Sequence, residues 1–320
     1  MTFPKVPKSG VWCPAITFFD RETDTLDLAS QAKYYAYLAQ TGLAGLVILG
    51  TNAETFLLTR DERAALVKCA REAVGPDFPL MVGCGGHSTA QVLEYIDDAV
   101  RCGGNYALVL PPAYFGKATT PAVIKSFYDD VAAKSAIPIV LYNFPGVCNG
   151  VDLDSEAIAS IAQSSAHDGN VVGVKLTCGS VAKITRLTGV FGSAEEGKFA
   201  VFGGQSDFIV GGLSVGSAGC IAAFANVFPK TIVRIYDLYK KGEYAQALEL
   251  HRKAALAESP CKAGIANTKY AAAIQTGKAA GIDGAVEKLL PRKPYQGPGE
   301  AAKEQIRLTM AEVAEIEAGL

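Results

Sequence analysis

Short apolar runs alternate along most of the chain with segments whose apolar residues recur every three to four positions. The runs GVWCPAIT (10–17), LAGLVIL (43–49), FPLMVG (78–83), NYALVLP (105–111) and IPIVLYN (137–143) read as strands. So do the stretch that opens at Asn170 and reaches Lys175, then KFAVFGG (198–204) and AGCIAAF (218–224). Such near-continuous apolar strands belong to parallel sheets covered by helices on both faces. Between them lie amphipathic helices, the first on Leu28, Ala32, Tyr35 and Ala39. Thr59 with Glu62, and Ser88 with Gln91, predict capping boxes at two further helix starts. Helices are also expected from about 120 to 135, from Asp154 and from about Ser180.

Eight β/α repeats are the pattern of a TIM (β/α)8 barrel. A doubly wound open sheet should carry a glycine-rich phosphate turn after its first strand. The turn here, TFFDRETDT, has no glycine, so the barrel is the better reading. From about Pro229 the strands stop. Helical patterns run over 230–241, 243–257 and 261–276, followed by the loop PRKPYQGPGE (291–300) and a last helix to about Leu320. The first of these completes the barrel. The expected organisation is therefore a barrel domain over 1–241 and a C-terminal helical extension over 242–320.

Composition narrows the function. Of the 320 residues 49% are hydrophobic and 19% charged, and the net charge of −2 argues against a nucleic-acid surface. The eight cysteines form no CxxC pair and the three histidines are far apart, so no clustered metal motif is visible and no metal or cofactor is expected. No apolar run approaches the ~18 residues of a membrane span. The opening MTFPKVPKSG lacks the apolar core of a secretory signal. The expectation is a soluble protein with reduced, mostly buried thiols, placed in the cytosol.

In a TIM barrel, chemistry collects at the carboxyl ends of the strands. Those ends carry GTNAE (50–54), PPAYF (111–115), YNFPG (142–146), Lys175 and GGQSD (203–207). One amine is thus ringed by small, hydroxylic and amide side chains. An ammonium at the mouth of an apolar strand is partly desolvated, which lowers its pKa and frees an amine to attack a carbonyl. The imine formed with an oxo acid is an electron sink for making or breaking a carbon–carbon bond. Tyr142, on the neighbouring strand, is placed to shuttle protons, with Thr51 as its hydrogen-bond partner. Thr51 and Asn52 offer neutral donors to a carboxylate. Each residue alone also has a plain reading. Lys175 could snorkel to solvent, Tyr142 could fill space with a wet hydroxyl, GTNAE could be a turn with a helix cap, and Tyr114 could be a surface aromatic. Together, in register, they are harder to explain that way.

At these residues the chain resembles the dihydrodipicolinate synthase/N-acetylneuraminate lyase family of class I aldolases. The resemblance runs through GVWCPAITFF, GTNAETFLLTRDER, VGCGGHSTAQ, PPAYF, YNFPG, GVKLT and GCIAAFANV, which span most of the chain. It implies that Lys175 is the Schiff-base lysine and Tyr142 the proton-relay tyrosine. Thr51 matches the first hydroxyl of the family's Thr/Ser-Thr pair, and Tyr114 resembles the tyrosine that completes the relay in a neighbouring subunit's site. Gly204 and Ile221 resemble backbone positions lining the lysine pocket. The family's habit implies a homodimer or homotetramer acting on pyruvate and an aldehyde, while charge and the lack of a long apolar run argue against a nucleic-acid or membrane partner.

Two departures decide the branch. Asn52 stands where the synthases have threonine, which is similar to 4-hydroxy-2-oxoglutarate aldolases. Val147 and Cys148 stand where the synthases carry an arginine that grips the second substrate's carboxylate, and neither can form that bidentate pair. The resemblance therefore implies cleavage of a 2-oxo-3-deoxy sugar acid, such as 2-keto-3-deoxy-L-galactonate, or of 4-hydroxy-2-oxoglutarate. The alternatives are a dihydrodipicolinate synthase using aspartate semialdehyde and a non-catalytic relative that binds an oxo acid. For a carboxylate-bearing aldehyde such as glyoxylate, Asn143, Ser206 or a backbone amide would have to supply the donor.

Overall fold

The structure, a computed structural model, describes residues 3–320. Eight parallel strands close into a barrel in sequence order. They are β1 (Gly10–Pro14), β2 (Gly45–Ile48), β3 (Leu80–Gly83), β4 (Tyr106–Val109), β5 (Ile139–Asn143), β6 (Val171–Leu176), β7 (Ala200–Gly203) and β8 (Gly219–Ile221). Every residue of these strands is buried, as runs apolar on both faces require. Barrel closure comes from the register Trp12↔Ile221 between β1 and β8.

The outer ring is α1 (Leu28–Leu38), α2 (Arg60–Val74), α3 (Thr89–Arg101), α4 (Pro121–Lys134), α5 (Ser155–Ala162), α6 (Val181–Phe191), α7 (Ile209–Ser214) and α8 (Pro229–Lys240). Caps fix where several of them start. Thr59 and Glu62 form the full expected box on α2. On α3 only half of the expected box forms. Ser88 accepts from the Gln91 amide, but the Gln91 side chain accepts from His87 N at 3.0 Å instead of from the cap residue. Thr120, Asp154 and Ser180 cap α4, α5 and α6 with their side chains. The strand ends are trimmed by up to three residues against the apolar runs, because ladder pairing stops before hydrophobicity does.

Beyond α8 lie α9 (Tyr244–Glu258), α10 (Ile265–Ala272), α11 (Ala285–Lys288) and α12 (Glu300–Ala318). The expected helix over 261–276 is broken in two. A 3-10 turn covers Ser259–Ala263, Gly264 with φ 137° separates it from α10, and a π turn over Ala273–Gly277 follows.

Two apolar layers hold this together. Outward-facing strand residues such as Val11, Leu46, Val82 and Val174 pack under the helices. Inward-facing ones fill the barrel, among them Trp12, Val47, Met81, Tyr106, Val140, Val172, Phe202 and Ile221. Gly45 leaves room for the Trp12 ring, since a Cβ there would meet it at 2.4 Å. The base is closed by the preceding segment, with Tyr106 donating to Pro4 O at 2.7 Å and Trp12 Nε1 to Lys8 O at 3.0 Å. In this architecture chemistry collects at the opposite end, the carboxyl ends of the strands.

Candidate active site

Lys175 is the penultimate residue of β6, paired in register with Tyr142 on β5 and Phe202 on β7. Strand alternation turns all three inward. Lys175 is only 2% exposed, and its Nζ makes no hydrogen bond or ion pair among the described residues. It lies 4.3 Å from the centroid of the Tyr142 ring. A buried amine with no carboxylate partner keeps its lone pair unclaimed once deprotonated, as a nucleophile needs.

Tyr142 is 3% exposed, and its hydroxyl lies 3.2 Å from Thr51 Oγ1. Thr51 begins the 3-10 turn Thr51–Ala53 that follows β2. Buried Thr17, just past β1, donates to Ala53 O at 2.8 Å and ties that turn to the neighbouring strand end. Asn52, on the same turn, is half-buried and makes no side-chain hydrogen bond among the described residues. The structure thus brings Lys175, Tyr142 and Thr51 together and leaves Asn52 with free donors beside them.

Gly204 donates to Leu176 O at 2.9 Å, and a Cβ on it would fall 2.1 Å from Thr177 Oγ1. Glycine is required there by the close approach of β7 to the end of β6. Ile221 is fully buried inside the barrel, in register with Trp12. Tyr114 does not join the group within its own chain. It is 72% exposed, and its ring lies 5.9 Å from His87 and 5.3 Å from Phe115.

Two residues offered as carboxylate donors are already engaged. Asn143 follows the inward Tyr142 and so faces out, where its amide donates to Asp152 at 2.7 Å and its carbonyl oxygen accepts from Leu153 N at 2.9 Å. The Ser206 hydroxyl donates to Glu258 at 2.5 Å. Thr177 is the hydroxyl that the pattern does not single out. Its Oγ1 is buried without a hydrogen-bond partner, two residues beyond Lys175 and just past the end of β6, where it packs against Gly204. An orphaned buried hydroxyl this close in the chain to the lysine lacks a partner that the folded chain does not supply. The spacing Lys-x-Thr at a strand end is the signal that could have found it.

At the β5 loop, Val147 is exposed and Cys148 is 1% exposed, its thiol pushed up to about 11 by burial and hence neutral. Two of the cations near the loops after β5 and β7 are neutralised by carboxylates. Lys183 pairs with Asp152, and Lys262 with Asp207 and Glu258. Among the described residues no group of three or more His, Cys, Asp or Glu could hold a metal ion.

This constellation can be set beside known proteins. A model of the dihydrodipicolinate synthetase family matches residues 7–312. The chain belongs to that family. It is 70% identical over 317 residues, 99% of both chains, to a Coccidioides immitis protein provisionally named mitochondrial 4-hydroxy-2-oxoglutarate aldolase. It is 36% identical over 326 residues, 99% of both chains, to the L-threo-3-deoxy-hexylosonate aldolase of Hypocrea jecorina. A crystal structure of a dihydrodipicolinate synthase family protein from Coccidioides immitis superposes with a TM-score of 0.93, at 68% identity and full coverage of both chains. The expected enzyme class, a lyase of the aldolase branch, agrees with these names.

The cytosolic expectation is corrected by the first of them, since that relative is named as mitochondrial. An apolar core is the mark of a secretory signal and says nothing of that location. Mitochondrial targeting segments are amphipathic and Arg-rich, and need no apolar core.

Proposed function

We propose that this chain is a pyruvate-dependent class I aldolase that reversibly cleaves a 2-oxo-3-deoxy sugar acid or 4-hydroxy-2-oxoglutarate to pyruvate and an aldehyde. The observation that carries the reading is the unpaired, buried amine of Lys175 lying over Tyr142, whose hydroxyl is bonded to Thr51. Lys175 attacks the substrate's C2 carbonyl and water leaves, giving a protonated imine. Tyr142 relays the protons of carbinolamine formation and collapse through Thr51. In the cleavage direction the C4 hydroxyl loses its proton to this relay. The C3–C4 bond then breaks with its electron pair drawn toward the iminium. The aldehyde departs, the enamine is reprotonated at C3, and hydrolysis frees pyruvate and the lysine. Thr51, Asn52 and the backbone near Gly204 and Ile221 hold the carboxylate and the pyruvyl unit.

Borohydride reduction in the presence of pyruvate tests this directly. It should inactivate the protein and leave a covalent adduct on Lys175. An adduct elsewhere, with activity surviving in Lys175→Ala, would sink the mechanism.

The neutral lining favours hydroxyl groups on the leaving aldehyde. Thr177 supplies a free hydroxyl, while Lys183 and Lys262 near the β5 and β7 loops are already paired. Glyoxylate, from 4-hydroxy-2-oxoglutarate, brings a carboxylate that must rely on Thr177, Asn52 or backbone amides, because Asn143 and Ser206 are engaged. Comparing kcat/KM for glyceraldehyde and glyoxylate in the condensing direction ranks the two substrates. Dihydrodipicolinate synthase stands second and a silent oxo-acid-binding relative third, since a sensor has no need of the intact relay.

The active unit is a dimer or larger, with Tyr114 completing a neighbour's relay. The exposed aromatic group of Phe56, His87, Tyr114 and Phe115 supports this, because such a patch on a soluble chain marks a contact surface. A mass of one chain in solution for the active species would overturn it.

A further inference from the structure

The turn that presents Thr51 ends at Glu54, and Glu54 is unlike its neighbours. It has a left-handed backbone, φ 59° and ψ 36°, uncommon for a residue with a Cβ and kept only where the surroundings enforce it. Its carboxylate is buried. Oε1 accepts from Lys269 Nζ at 2.5 Å, with the two side chains 3% and 0% exposed, and Oε2 accepts from Arg292 N at 2.8 Å. Lys269 lies on α10, 215 residues away in sequence. Its ammonium also donates to Leu290 O at 3.2 Å and lies 4.7 Å from the Phe19 ring centroid. The Arg292 guanidinium reaches past the turn to Glu62 at 2.6 and 2.8 Å, and to Leu57 O and Asp24 O at 2.9 Å each. Residues 269–292 thus clamp the segment from 54 to 62 at several points.

We infer that the buried Glu54–Lys269 pair is a positioning device through which the C-terminal helices hold the Thr51 hydroxyl against Tyr142. The inference rests on the proton relay proposed above. The turn is short and internally bonded, with Ala53 N donating to Gly50 O, Glu54 N to Thr51 O and Leu57 N to Glu54 O. A shift at Glu54 therefore carries through to Thr51. The Thr51–Tyr142 bond, at 3.2 Å, is already at the long end for two hydroxyls, so a small displacement breaks it. Stability alone does not explain the pair. Well-packed apolar side chains often do as well in a core, whereas an ion pair selects one arrangement.

Lys269→Met and Glu54→Gln, each made with and without Thr51→Val, form the test. Kinetics are measured well below each variant's melting temperature, with native circular dichroism as a condition. Lys269→Met should lower kcat/KM about tenfold or more, yet less than about twofold further in the Thr51→Val background, where the hydroxyl to be positioned is gone. An equal loss in both backgrounds, or no loss in the folded single variant, overturns the inference and leaves a structural pair. Should Lys269→Met not fold, Glu54→Gln carries the same cycle. Crystal structures give a readout that does not depend on turnover. The Thr51–Tyr142 separation should exceed about 3.5 Å in the variants, beyond hydrogen-bond reach. A separation unchanged from 3.2 Å also overturns the inference. Failure of the aldolase reading would show separately, as a wild-type protein that forms no reducible adduct with pyruvate.

Discussion

The two halves of the barrel mouth are built differently. Around Lys175, Tyr142 and Thr51 the side chains are buried or half-buried and tied by hydrogen bonds and ion pairs that reach from β1 to α10. Around the loop after β5, Phe144 is half-buried, Val147 is exposed, and no cation faces out unpaired from Lys183 or Lys262. The first half can hold one geometry for bond making. On the proposed reading the second half accepts different aldehydes, because discrimination by an apolar wall is weak while rejection of an unpaired charge is strong. Chemistry common to a family belongs in the first half, and what distinguishes its members belongs in the second.

The largest effect should come from the centre of the fixed half. Lys175→Ala should reduce turnover to background and abolish the borohydride adduct, because no other described amine lies over Tyr142. Tyr142→Phe keeps the ring beneath Lys175 Nζ and removes only the hydroxyl proposed to carry the proton. We expect a fall in kcat of about 10²- to 10⁴-fold, the usual range for a positioned acid–base group, with an adduct still forming slowly. Wild-type kcat in Tyr142→Phe would show that the Thr51–Tyr142 bond is packing and not relay, and the contrast between the halves would collapse.

The clamp beneath the fixed half should show in stability. Breaking a buried ion pair by removing one partner costs about 3–5 kcal/mol, so Lys269→Met should unfold at clearly lower denaturant than wild type. Burial outweighs the Glu54 carboxylate and pulls the Lys269 ammonium down to about 8. An unfolded lysine keeps its proton to about 10.4, so between those values the unfolded chain binds the extra proton. Stability relative to the double variant Glu54→Gln/Lys269→Met should therefore rise as pH rises through that window, and this contribution is lost as pH falls through about 8. A flat difference from pH 8 to about 10.4 would mean that the pair is hydrated, and a hydrated pair is a weak clamp.

Much of this layout was legible in the sequence, for reasons that also explain what was not. The barrel follows from eight buried strands at helix-length spacing, and Lys175, Tyr142 and Thr51 from rare functional groups at strand ends. Helix α7 was not foreseen because IVGGLS is six residues with two glycines, too short and too weak in propensity to show a period. The engagement of Asn143 and Ser206 depends on Asp152 and Glu258, and that of Glu54 on Lys269. These partners meet only after folding, Glu54 and Lys269 from 215 residues apart. Thr177 was legible in the sequence only as the spacing Lys-x-Thr, and its lack of a hydrogen-bond partner shows only in the fold.

Assembly offers a way to join the halves. If Tyr114 serves a neighbour, inactive Tyr114→Phe and inactive Lys175→Ala chains should recover activity when mixed, since one site of each hybrid dimer then holds both groups. Statistical mixing gives about a quarter of wild-type activity at most, one intact site in half of the dimers. Hybrids shown to exchange subunits without recovery would put Tyr114 outside the mechanism.

The smallest expected effect is on specificity, at Val147. It is exposed at the end of the Pro145–Val147 turn, on the loop where the related synthases carry their arginine. Aspartate semialdehyde entering this side would leave its carboxylate facing Val147 and the neutral Cys148 thiol, and a charge left unpaired is rejected. Val147→Arg adds the missing donor at a position with open space, so the core is not disturbed. Condensation of pyruvate with aspartate semialdehyde should then improve about tenfold in kcat/KM, the lower end for a hydrogen bond to a charged group. Cleavage of a 2-oxo-3-deoxy acid that yields an uncharged aldehyde should change by no more than about twofold, since that aldehyde makes no ionic contact with this loop. No gain would mean that the second substrate's carboxylate does not reach the β5 loop. Strong semialdehyde activity in the wild-type chain would mean that a backbone site or a neighbouring subunit already supplies the charge, and the synthase reading would move ahead of the aldolase.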